Sequence, residues 1–138
     1  MIHESELRLG NIVNNEFTTI TGILGNNKVM VETKLINGQI GFQGELNTKD
    51  LQPVLLTGNL LERMMFLKDV NADYYARIMP DGNTIAIKPG KITYIYLYRG
   101  DYEHRNRINQ QEDMTVHFLQ NIFFALSGTD CLIQVEVQ

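Results

Sequence analysis

The chain has 138 residues, 43% of them hydrophobic, and sixteen acids against twelve bases give a net charge of −4; these values suit one domain, or two small lobes sharing a core. The charge is evenly spread, six acids and four bases over residues 1–60 and ten and eight over 61–138, so there is no basic lobe to hold duplex DNA through its phosphates. A single cysteine, Cys131, excludes an intramolecular disulfide and reads as a buried thiol, and no segment approaches the roughly 18 apolar residues that span a membrane.

In chain order, the first half reads as short strands between turn residues. Leu9 to Val13 is a strand ending at Asn14-Asn15; Thr18 to Leu24 follows, with Gly25-Asn26-Asn27 as a hairpin turn before Lys28 to Thr33. Asn37-Gly38 is a strong two-residue hairpin signal between Thr33 to Ile36 and Gln39 to Glu45. Leu51 to Leu55, interrupted by Pro53, reads as an edge strand. Five short strands at about ten-residue spacing point to an SH3-like barrel or a small bent antiparallel sheet over residues 1–57.

Residues 58–138 change period. Asn59 with Glu62 resembles a capping box opening a short helix through about Phe66, with Leu60, Leu61, Met64 and Met65 as its apolar positions. Strands are expected over Asp73 to Met79, Thr84 to Lys88 and Lys91 to Arg99, a three-stranded meander with turns at Pro80-Asp81-Gly82-Asn83 and Pro89-Gly90. Gly100 to Gln111 reads as a polar loop. Met114 to Gly128 predicts a long helix with Val116, Leu119, Ile122, Phe123 and Leu126 as its buried stripe, Asp113 or Thr115 at its start and Gly128 at its stop. Cys131 to Val137 alternates as a final strand. The whole is α+β, the second lobe sharing a core with the first.

Three residue groups stand out. His117, Asn121 and Phe124 lie together on the helix side away from the stripe, where they either contact a ligand or second subunit, or serve a second layer of core. Tyr94, Tyr96 and Tyr98 alternate with Ile95 and Leu97, so three rings share one strand face; that face either stacks bases or a partner's apolar surface, or stabilises the sheet alone. Arg99, His104, Arg105 and Arg107 follow directly, and arginine's planar fork suits phosphate or carboxylate, although Asp101 and Glu103 between them can satisfy the same charges. The histidines are scattered, and no metal-ligand, nucleophile-elbow or phosphate-loop phrase occurs. No metal, no cofactor and no catalysis are expected.

The opening Glu6-Leu-Arg-Leu-Gly-Asn-Ile-Val13, the middle Leu51-Gln-Pro-Val-Leu-Leu-Thr57 with a helix ending Met65-Phe66, and the closing Val116-His-Phe-Leu-Gln-Asn-Ile-Phe-Phe-Ala-Leu-Ser-Gly128 resemble a family of small uncharacterised proteins of gut-associated bacteria and their phages. That family begins Leu-Arg-x-Gly-Asn and ends His-x-Leu-Gln-Asn-x-x-Phe-Ala-Leu-x-Gly. This chain departs at Met65, where glycine is usual, and at Ser127 and Thr129-Asp130, where threonine and two acids are usual. The resemblance implies a phage or prophage setting and no established activity. The expectation is therefore a non-enzymatic binding protein of phage or mobile-element origin, cytoplasmic in the host cell and self-associating or binding a protein partner. The alternative is a nucleotide or single-stranded nucleic-acid binder using the tyrosine row and the arginine loop. Neither a membrane nor duplex DNA is expected as a partner.

Overall fold

A computed structural model describes residues 2–70 and 73–133. It shows an α+β protein with two open antiparallel sheets, of three and five strands. The chain divides into two compact units, Met1–Leu55 together with Thr115–Gln138, and Leu56–Met114. The first boundary thus falls at Leu55 and Leu56, near the expected 57 and 58. The closing helix, however, groups with the N-terminal residues.

In the first unit β1 (Thr18–Gly25), β2 (Lys28–Lys34) and β3 (Ile40–Asn47) form a meander in the order β1-β2-β3. The β1–β2 turn is the expected one: Asn26 and Asn27 both take positive φ, 53° and 60°, the twist that a two-residue hairpin needs and that asparagine tolerates. The Asn37-Gly38 signal sits inside a wider loop, closed by Leu35 N–H donating to the Gln39 carbonyl at 2.7 Å. Val29 and Val31 alternate inward and join Ile2, Leu7, Val13, Ile20 and Leu51 in one buried cluster, with Leu46 of β3 packed on it.

No barrel closes. Leu9 to Val13 and Leu51 to Leu55, expected as its remaining strands, supply only isolated bridges, Ile12 to Thr19 and Leu55 to Thr115. The reason is local: Gly10 has a φ of +89° and the Asn11 N–H donates back to the Arg8 carbonyl, so this segment turns where a strand would run on.

In the second unit α1 (Gly58–Arg63) is capped by Thr57, whose Oγ1 accepts from the Leu60 N–H at 3.2 Å; Asn59 is inside the helix. The helix is shorter than expected because Met65 has a φ of 71°, a left-handed conformation that ends it before Phe66. α1 lies against β4 (Leu67–Lys68) and β5 (Tyr75–Ile78), and β6 (Thr84–Lys88), β7 (Ile92–Tyr98) and β8 (Asn106–Glu112) continue the sheet in chain order. The meander therefore has five strands. The expected loop contains β8, which carried no alternating signal because six of its seven residues are exposed and only Asn109 is partly covered.

α2 (Val116–Ser127) has both expected ends, Thr115 Oγ1 accepting from the Phe118 N–H and Gly128 at a φ of 71° with its N–H bonded to the Phe124 carbonyl. Its buried face is rotated from the expected stripe: Val116, Leu119 and Phe123 are covered as read, but so are His117 and Gln120, while Ile122 and Leu126 are only half-buried. No helix among the described residues is long and apolar enough to cross a membrane. Most of the expected final strand, Gln134 to Val137, lies outside the described residues; Cys131 itself is buried.

The rotation has a polar cause. Gln120 Oε1 accepts from the Ile12 N–H at 2.8 Å, and its Nε2 donates to the carbonyls of Gly10 and Cys131 at 3.2 and 2.9 Å. Asn121 Oδ1 accepts from Asn11 Nδ2 at 2.9 Å and Arg8 Nη1 at 3.3 Å, while its Nδ2 donates to the Glu6 carbonyl at 2.8 Å. Replacing Gln120 with leucine keeps the volume and strands a buried N–H and a buried carbonyl, so Gln120→Leu should destabilise the fold by about 2–4 kcal/mol. Urea denaturation checks this, and a loss under about 0.5 kcal/mol would show that water replaces the side chain at no cost.

Candidate binding face

β7 places Thr93 and Ile95 on the buried side of the five-stranded sheet and leaves Tyr94, Tyr96 and Tyr98 half-buried on the other. Across the sheet, Tyr98 is paired with Thr84 and Tyr96 with Ala86; beyond them Ile78 is paired with Thr84, Ala76 with Ala86 and Leu67 with Ala76. Paired residues share a face, so small side chains at Ala76, Thr84 and Ala86 run between the tyrosines on one flank and Leu67 and Ile78 on the other. A small residue between large ones leaves a trough. Its end is a hollow of about 610 Å³ with Tyr74, Tyr98, Leu67 and Ile78 among its walls, and Met65 at the same site.

The hub of the aromatic flank is Tyr102, a residue that the sequence pattern did not single out. It sits in a single 3-10 turn (Tyr102–His104) that Asp101 caps by accepting from the Glu103 N–H. Its ring stacks on Tyr74, with centroids 4.0 Å apart and planes 6° from parallel, and meets Tyr96 and Tyr98 edge-on at 6.3 and 5.6 Å. A lone tyrosine in a polar loop carries no periodicity, so only the fold reveals it.

The expected tyrosine row and arginine loop are brought together, in part. The Arg105 guanidinium lies 4.2 Å from the Tyr102 ring centroid and 5.1 Å from that of Tyr96, and donates to the Tyr102 carbonyl at 3.3 Å. Arg107 stands 5.9 Å from the Tyr94 ring. Arg99 is elsewhere: its Nε donates to Asn83 Oδ1 at 3.3 Å and its Nη2 to the Asp81 carbonyl, tying down the turn before β6. His104 is exposed and joins none of these contacts.

His117, Asn121 and Phe124 belong to the first unit. Asn121 is spent on the N-terminal turn, and Phe124 lies under Arg8, whose guanidinium carbon is 3.7 Å from the ring centroid and whose Nη2 bridges Asp130 at 2.9 Å. The polar back of the helix is thus a seam within its own unit. Of these three, His117 keeps an uncommitted group, since its buried Nδ1 has no hydrogen-bond partner among the described residues.

Among the described residues no three acidic, histidine or cysteine side chains converge to hold a metal ion. Comparison with family models, with curated proteins and with solved structures finds no match.

Burial raises the Tyr74 hydroxyl to about 12, helped by its 3.0 Å hydrogen bond to Asp69 and by that carboxylate's charge; burial also raises Tyr98. A folded-state value above the unfolded 10 means that this contribution to stability is complete below pH 10 and is lost as the pH climbs to about 12. Phenolate absorbance, with Tyr74→Phe as reference, should show one late-ionising tyrosine that Asp69→Asn moves back toward the ordinary value. An unmoved titration in Asp69→Asn would remove the carboxylate as a cause.

Proposed function

We propose that the chain is a non-enzymatic binding protein whose trough on the five-stranded sheet receives an apolar segment of a protein partner. The observation that carries this reading is the end of the trough, where Leu67, Ile78 and Met65 are 78%, 74% and 50% exposed around a single hollow. Apolar side chains clustered on water are a standing cost that a partner removes, at about 25 cal/mol per Å² covered. Met65 adds to the case. A methionine at a φ of 71° is held in a conformation that costs about 1 kcal/mol and that glycine would adopt freely, and its flexible thioether lies at the hollow.

Electrostatics favours a protein over a polyanion. Residues 56–114 carry eight acids and eight bases, so no net field steers a nucleic acid, and Arg105 already rests on two rings. A second reading keeps one specific observation: Tyr94 and Tyr96 are half-buried rings 6.3 Å apart and 22° from parallel, with Arg107 beside the first. That pair suits stacking of a base in a nucleotide or single strand. The phage or mobile-element setting belongs to the same proposal, and a second copy of the chain is one partner of the proposed kind.

Selection from a displayed random-peptide library tests the reading on the full chain. The selected peptides should carry a large apolar anchor, and Leu67→Glu and Ile78→Glu should each weaken them about tenfold or more, about 1.4 kcal/mol, without shifting the unfolding midpoint. Met65→Gly should do two opposite things, stabilising the fold by about 0.5–1 kcal/mol and weakening the peptide. Peptides that bind the glutamate variants as well as the parent would overturn the trough. Binding of an oligonucleotide that Tyr94→Ala and Arg107→Ala abolish would install the second reading; light scattering over a concentration series decides whether the partner is another copy.

A further inference from the structure

The first unit contains a second hollow, independent of the tyrosine face. It measures about 310 Å³ and is lined by Glu6, His117, Phe118, Asn121, Ile122 and Ala125. The four helical residues at 117, 118, 121 and 122 and the next turn's 125 share one side of α2, so the hollow is a groove along the helix closed at one edge by the N-terminal turn. Burial orders the lining. His117, 4% exposed, is the floor; Phe118, Asn121 and Ile122 are half-buried walls; Ala125 and Glu6 are exposed rim.

The polar groups in it are unequally committed. Both atoms of the Asn121 amide are bonded to the N-terminal turn, and one Glu6 carboxylate oxygen accepts from the His3 N–H at 3.0 Å. His117 is different: its Nδ1 is buried with no hydrogen-bond partner among the described residues. Such an atom forgoes the hydrogen bonds it would have in water, and native proteins tolerate few of them. Burial also lowers the imidazole's affinity for a proton, against a weaker opposing pull from Glu6, so near neutral pH the ring is uncharged.

An uncharged imidazole floor, an aromatic and aliphatic wall and a single carboxylate at the mouth describe a ligand by complement. Neither lysine nor arginine lines the hollow, and the nearby Arg8 guanidinium is held by Asn121 Oδ1 and Asp130. We propose that this hollow is a binding site for a compact organic cation, a protonated amine carried on a ring-sized apolar body. The body fills the space between Phe118, Ile122 and Ala125 over the His117 ring, and the ammonium faces Glu6 and the Phe118 ring. A cavity of this volume is at the small end for ligand sites and admits a body of about one aromatic ring.

Benzylamine is the direct probe, with benzyl alcohol and benzoate as its neutral and charge-reversed counterparts, each titrated into the full chain while the His117 imidazole and Ala125 methyl signals are followed by NMR. Benzylamine should give saturable shifts at both positions, with benzoate at least about tenfold weaker, about 1.4 kcal/mol. Ala125→Leu puts a larger side chain into the hollow at an exposed position that suits a good helix former, and should weaken benzylamine about tenfold or more with the rest of the spectrum unchanged. Glu6→Gln should bring benzylamine and benzyl alcohol close to equal. If leucine at 125 disturbs the helix signals, Ala125→Gln gives the same blockade with a polar tip. Shifts that rise without saturating, that survive both substitutions at 125, or that are as strong for benzoate would overturn the site.

Discussion

Two adjacent amides, Gln120 and Asn121, fasten the closing helix to the N-terminal turn, and the arrangement of the first unit depends on them. Between them they use every hydrogen-bonding atom of their side chains on Glu6, Arg8, Gly10, Asn11, Ile12 and Cys131. The segment that receives them pairs with β1 only through a short bridge, and the backbone groups of Glu6, Gly10 and Ile12 that this bridge leaves over are met by the helix amides. Residues over a hundred positions apart in the chain are thereby brought within hydrogen-bonding distance. The same clasp rotates α2, drawing Gln120 and His117 into cover and leaving Ile122 half-buried, which is how a groove opens along the helix.

The second unit is organised around rings in place of amides. Tyr102 sits between Tyr74, Tyr96 and Tyr98, and Arg105 lies across the assembly. This packing reconciles two readings of the tyrosine row. Part of its surface is consumed in stabilising the sheet, while Tyr94 stays at the free end and Tyr98 forms one wall of the trough. The other wall is aliphatic and open to water, and it begins at Met65, where the backbone is held left-handed. The φ of Met65 is one that glycine adopts without cost.

Legibility followed burial. β1, β2 and β7 each have a covered face, and alternation recorded it, while β6, covered on both faces, was bounded by its turn residues; the turns were marked by Asn26-Asn27 and by Gly82. The ends of α2 were readable because a hydroxyl at Thr115 and a glycine at 128 answer needs of the backbone alone. β8 was invisible because an edge strand with water on both faces has no pattern to impose on its residues. The barrel failed for the opposite reason: Leu9 to Val13 has the composition of a strand, but Gly10 and the Asn11 side chain turn it locally, and composition does not report that competition.

By itself the sequence determined the α+β class, most strand positions, the limits of the closing helix and the nearness of Tyr94, Tyr96 and Tyr98 to Arg105 and Arg107, because each of these follows from periodicity or from residues a few positions apart. Tertiary structure decided which groups were still free after folding. That Tyr102 is a hub, that Asn121 is spent and His117 is not, and that Leu67 and Ile78 flank one trough all depend on which side chains meet once strands and helix have packed, and those meetings leave no mark on local order.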